Sequence, residues 1–148
     1  MKLSSSRRGF TLIELLLVIG IIAILASIVI VAINPTKQLG DARNAQRRSD
    51  VNTILNAVYQ YAIDHNGTMP GCLAETAGGP ICVAADCTGV TDGCDLHTDL
   101  TTSYIVSIPV DPSGADGNNS NYSVAIASGR VMVTADKPEG GATISVTR

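Results

Sequence analysis

The stretch RRGFTLIELLLVIG, Arg7 to Gly20, decides the fold, because it opens an apolar run from Phe10 to Ile33 that carries one charge, Glu14. From Leu15 to Ile33 nineteen consecutive residues are uncharged. As an α-helix rising about 1.5 Å per residue, that run nearly crosses a hydrocarbon core of about 30 Å. Residues 10–33 therefore read as a transmembrane span. A secretory signal peptide is the competing reading, since Lys2, Arg7 and Arg8 form a basic leader. The apolar core of such a peptide usually runs only about 7 to 15 residues, however. No good Ala-x-Ala cleavage site follows this one.

A lone carboxylate at the head of an apolar span needs a reason. On one reading Glu14 sits at headgroup depth with its charge in water. On the other it meets a cation at the same depth. Cutting the chain between Gly9 and Phe10 creates such a cation, an α-amino group four residues, or one helical turn, from Glu14. The pair can form within one chain or across staggered neighbours, and it is stronger in a low-dielectric layer than in water.

The residues Arg7-Arg8-Gly9-Phe10-Thr11-Leu12-Ile13-Glu14-Leu15 resemble the cleavage and methylation motif of prepilins, the precursors of type IV pilins and type II secretion pseudopilins. The resemblance implies that a membrane prepilin peptidase and methyltransferase removes residues 1–9 and methylates the amine of Phe10. It also implies that Glu14 attracts the amine of a neighbouring subunit during filament growth. Methylation leaves that nitrogen cationic. Glu14 further favours ordinary incorporation over an initiating tip role, because tip subunits of the family often lack it.

Composition fits this frame. With 148 residues and 45% hydrophobic content the chain affords one modest core besides the apolar helix. Seven of the ten basic residues, Lys2, Arg7, Arg8, Lys37, Arg43, Arg47 and Arg48, precede residue 50. From Asp50 onward the chain is acidic, which argues against nucleic acid as a partner. Positive charge flanks the span on both sides, so it does not orient it.

Asn34-Pro35 predicts a kink or break, since proline lacks an N–H and disfavours helical geometry before it. Val51, Ile54, Leu55, Val58, Tyr61 and Ala62 then repeat at helical spacing, placing an amphipathic helix over 34–66. His65-Asn66-Gly67 with Pro70 is its stop. Unbroken, the two halves would span roughly 80 Å. Arg43, Arg47 and Arg48 read as a solvated face, with Asp50 screening Arg47. The stretch NPTKQLGDARNAQRRSDVNTILNAVYQYAIDHNGTMP resembles the corresponding segment of pilins and pseudopilins, whose helix ends in a Tyr-containing turn before Asn-Gly and Pro.

All four cysteines, Cys72, Cys82, Cys87 and Cys94, fall in a Gly-, Thr- and Asp-rich loop over 71–100. Their spacing lacks the paired knuckles of a zinc site, so no metal is expected there. An even count in a short span favours two disulfides, placing residues 67–148 as a head on the oxidising side of the membrane. Three pairings are possible, with Cys72–Cys82 and Cys87–Cys94 preferred. Tyr104–Ile108, Tyr122–Ala127, Arg130–Ala135 and Thr143–Val146 are β-prone, and Ser128-Gly129 and Pro138-Glu139-Gly140-Gly141 are turns. They predict an antiparallel sheet over 103–147 with one side on the helix.

SIPVDPSGADGNNSNYSVAI resembles the Pro-Asp-Pro loop and following Tyr strand of pseudopilin heads. Some of those relatives hold calcium nearby, and Asp111, Asp116 and Asn118 could supply oxygens, but the loop has no recognised ligand pattern and reads as a solvated turn. Asn66, Asn118 and Asn121 open N-x-S/T tripeptides. The two histidines, His65 and His97, stand in no catalytic constellation, so neither an enzyme nor a cofactor is expected.

The expected fold is α+β and pilin-like: a long N-terminal helix, apolar then amphipathic, packed on a small antiparallel sheet of three or four strands with a disulfide-rich loop. By resemblance the chain is a structural filament subunit, of a type IV pilus-like fibre serving adhesion, motility or DNA uptake, or alternatively of a type II secretion system. Its implied partners are copies of itself, the prepilin peptidase, an inner-membrane assembly platform, and lipid before assembly. The leader would be cytoplasmic and the head extracytoplasmic, with the assembled filament periplasmic or at the cell surface. A plain single-pass anchor carrying an exported domain is a third reading.

Overall fold

The computed structural model describes residues 9–76 and 78–148. The chain divides into two compact units, one ending at Gln38 and one running from Leu39 to Arg148.

In the first unit, α1 spans Leu12–Ile33, and none of its residues is buried. Its apolar side chains leave no polar stripe, and it is long and apolar enough to cross a membrane by length and composition. Asn34 ends it in the left-handed conformation, φ 46°. The same residue starts the next helix: its side-chain oxygen accepts from the Thr36 hydroxyl at 2.8 Å and the Lys37 amide at 3.4 Å. Pro35 occupies the first helical position, where no N–H is needed. The expected interruption is thus a single residue that caps both helices.

Most of α2, Pro35–Asp64, belongs to the second unit. Val51, Ile54, Leu55, Val58 and Ala62 are its buried apolar stripe. Asn66 and Gly67 at φ 54° and 89° terminate it, the Gly67 amide bonding the Ala62 carbonyl at 2.7 Å. Short helices follow at Gly71–Thr76 (α3) and His97–Leu100 (α4). The sheet is antiparallel in the order β1-β2-β3-β4, from Gly78–Cys82, Asn119–Ala127, Arg130–Ala135 and Ser145–Thr147. Tyr122, Val124, Val131 and Val133 bury their face against the α2 stripe, with Leu73, Ile81, Leu96, Leu100, Ile108 and Ile144 closing the core. The expected α+β architecture stands.

Two strand expectations need correction. Tyr104–Ile108 is not a strand, because the amides of Tyr104 and Ile105 both bond the Leu100 carbonyl, at 3.0 and 3.1 Å, continuing the turn after α4. The sheet instead gains β1 from inside the cysteine loop. Its Gly79 passes so near Asp92 that a Cβ there would lie 2.1 Å from the Asp92 carbonyl oxygen, so a Gly-Gly-Pro segment serves where a bulkier strand would not fit.

The preferred cysteine pairing is also overturned: the bonds are Cys72–Cys94 and Cys82–Cys87, with Cα separations of 5.1 and 5.3 Å. Cys94 lies alongside β1, its amide on the Pro80 carbonyl at 2.8 Å and its carbonyl taking the Cys82 amide at 3.1 Å. That places it beside α3 and Cys72. Cys87, at φ 48°, turns back onto Cys82.

Candidate assembly site and the buried ion pair of the head

Glu14 is held by Thr11. Glu14 Oε2 accepts the Thr11 amide and the Thr11 hydroxyl, each at 2.8 Å, while Thr11 Oγ1 accepts the Glu14 amide at 3.3 Å. This reciprocal cap satisfies amides that the first helical turn otherwise leaves open, and it sets a negative charge at the positive end of the helix dipole. The carboxylate is thereby turned back toward Phe10. Thr11 was missed as a site residue, although the pattern Thr11-x-x-Glu14 ahead of an apolar run is the sequence signature of such a cap. Phe10 is 82% exposed, and among the described residues a Cβ on Gly9 would meet no atom within 4 Å.

Within the second unit, the reading of three arginines as one solvated face is corrected. Arg48 is exposed and Arg43 half-buried, but Arg47 is fully buried. Its Nε donates to Asp111 Oδ2 at 2.6 Å and its Nη2 to Asp111 Oδ1 at 2.9 Å. Nη1 donates to Asn44 Oδ1 at 2.9 Å, and Glu139 Oε1 stands 3.5 Å from Nη2. Arg43 reaches the same Glu139 oxygen at 3.1 Å. The sequence carried a signal for this: Arg47 lies four residues before Val51 and seven before Ile54, on the buried stripe. The hydrogen bonds that Arg47 donates to Asp111 raise the guanidinium pKa above its ordinary value. Burial pushes the Asp111 carboxyl up, but hydrogen bonds from Arg47 and Ser113 outweigh it and hold the group below the usual range.

Asp50 does not screen Arg47. It accepts from Gln46 Nε2 at 2.7 Å and from the buried Tyr122 hydroxyl at 2.7 Å. Burial, and then the bond to Asp50, raise the Tyr122 phenol.

Asp111, Asp116 and Asn118 do not converge on a cation. Asp116 pairs with Lys137, and Asn118 is engaged by the Ala84 amide at 2.8 Å and by Asp86 at 3.1 Å. Among the described residues no group of three or more His, Cys, Asp or Glu could hold a metal. Of the three sequon asparagines, Asn121 is buried with its Nδ2 donating to the Gly114 carbonyl at 2.7 Å, whereas Asn66 is exposed. His65 stacks on Tyr61 with ring centroids 3.9 Å apart, as a helix-end residue.

Comparison with known proteins meets this geometry at the amino end. Residues 4–30 match the family described as the prokaryotic N-terminal methylation motif. The chain is also 36% identical, over 66 residues, to the type II secretion system core protein G of Escherichia coli (strain K12), covering 45% of this chain and 44% of that protein. It thus spans less than half the length of this curated relative. No solved structure matches. Motif and relative together support the pilin and pseudopilin family, and an apolar N-terminal helix behind that motif fits a membrane-anchored precursor.

Proposed function

We propose that the chain is the precursor of a structural subunit of a pilus-like helical filament, matured by cleavage between Gly9 and Phe10 and by N-methylation of Phe10. The observation that carries this is α1, a 22-residue apolar helix with no buried residue, headed by a carboxylate. The hydrophobic effect requires such a surface to be covered, by lipid before assembly and by the same helix of other copies afterwards.

In this reading the cap by Thr11 keeps Glu14 aimed at the amino end, and the cut leaves the Thr11 amide and hydroxyl in place. Glu14 Oε2 is the capped oxygen, so the incoming amine of a neighbouring subunit is met through the rest of the carboxylate. The leader stays cytoplasmic and the head, with its two disulfides, is exported to the oxidising side. The processing enzyme, an assembly platform and further copies are the partners.

A second reading, a subunit of a type II secretion system, is favoured by the name of the relative. Mass spectrometry of the mature N-terminus, with electron microscopy of sheared surface material, tests both. A methylated Phe10 with long fibres is the outcome expected for a pilus, and the same terminus without fibres moves the assignment to secretion. An uncut chain in cells containing the peptidase would overturn both in favour of a plain anchor.

A further inference from the structure

We infer that Arg47 is a built-in cation that holds the Asp111–Asn118 loop in the way a bound divalent ion would, so that the loop needs no metal. The loop has the composition of a cation-binding turn, with Asp111, Asp116 and Asn118 among glycines. Yet its first carboxylate is already engaged at both oxygens. Asp111 Oδ1 receives Arg47 Nη2, the Ser113 amide at 2.8 Å and the Ser113 hydroxyl, and Oδ2 receives Arg47 Nε.

Seen from the guanidinium, the arrangement is a coordination shell. Four oxygens face it: both of Asp111, Asn44 Oδ1 and Glu139 Oε1. They come from three separate segments, α2, the 111–118 loop and the 136–142 turn. Recruiting oxygens from several loops onto one positive centre is what calcium does in other proteins. Here the charge is covalently fixed to α2, fully buried, and cannot dissociate. Two further links join the same segments. Asn44 donates to the Glu139 carbonyl at 2.9 Å and accepts its amide at 3.0 Å, and Lys137 pairs with Asp116. A metal entering this place would have to displace a guanidinium that has no exposed surface.

The test is limited proteolysis of the full chain in detergent, with cuts in 112–117 and 137–141 mapped by mass spectrometry, in millimolar calcium chloride and in chelator. The wild-type cutting rate is expected to agree between the two within about twofold, since loop opening is set by contacts calcium does not make. Calcium protection of severalfold or more would overturn the inference. Arg47→Lys keeps the charge but loses the fork, and is expected to speed cutting in both loops on the order of tenfold, with no rescue by calcium. An unchanged rate in Arg47→Lys would also overturn it. Should that variant fail to accumulate, the wild-type arm decides alone: calcium protection refutes and its absence supports.

Discussion

Arg47→Met removes one partner of a buried pair and leaves Asp111 buried and ionised at neutral pH, with only Ser113 donating to its carboxylate. Breaking such a pair costs about 3 to 5 kcal/mol. For a unit of this size each kcal/mol moves the unfolding midpoint by roughly 4 °C, so the midpoint should fall by roughly 12 to 20 °C. The pH dependence carries a sign. In the wild type the Asp111 carboxyl is held below its ordinary value, so its contribution is present above the unfolded pKa and lost as pH falls through the folded one. In Arg47→Met, burial, the largest single influence on the carboxyl, is opposed only by the Ser113 hydrogen bonds, and that pKa moves up. The variant then recovers as the carboxyl protonates, and its gap to the wild type should narrow on acidification from neutral toward about pH 5. Adding Asp111→Leu should recover most of the loss, because a well-packed apolar pair is often as stable as the ions it replaces. Tyrosine near-ultraviolet dichroism of the full chain in detergent reads the second unit alone, since Tyr59, Tyr61, Tyr104 and Tyr122 all lie beyond Leu39 and the chain has no tryptophan. A loss under about 1 kcal/mol, or a gap that widens on acidification, would refute the reasoning.

Glu14→Ala should still be cut after Gly9 and methylated, as mass spectrometry reads, but yield few filaments; normal polymerisation would end the assembly role. Tyr122→Phe strips the hydroxyl from Asp50 and should cost about 1.5 to 3 kcal/mol in the same melts. Asn44→Ala unties the Glu139 turn on both its amide and its carbonyl and should cost about 1 to 3 kcal/mol. Losing Cys72–Cys94, which closes a sequence separation of 22, should destabilise the head about 1 kcal/mol more than losing Cys82–Cys87, which closes 5. Paired serine variants measured under oxidising conditions check the order.

The apolar helix was legible because an uncharged run of nineteen residues has few alternatives, and β2 and β3 because Tyr122, Val124 and Val131, Val133 alternate around a two-residue turn. That turn, Ser128 and Gly129 at φ 52° and 74°, has the left-handed geometry tight hairpins need. Strand β1 was hidden by composition: Gly-Gly-Pro has poor intrinsic β preference, and only the approach of Asp92 and the pairing with β2 make it a strand. Tyr104–Ile108 failed for the opposite reason, a β-prone segment whose amides were captured by the preceding helical turn. Cysteine pairing depends on which loop lies against which strand, and spacing alone does not encode that. Arg47 and Thr11 stood in readable patterns, a helical stripe and a capping signature, behind the stronger signals of charge and hydrophobicity.

The two sulfur bridges are nested, the smaller ring of Cys82–Cys87 lying wholly inside the larger one of Cys72–Cys94. A peptide bond severed anywhere between those outer cysteines therefore releases nothing. The nicked chain stays in one covalent piece, would run at full mass on a gel without reductant, and would part into fragments only when thiol is added. A chain exposed to proteases would thus be wounded in that loop without losing a piece of itself.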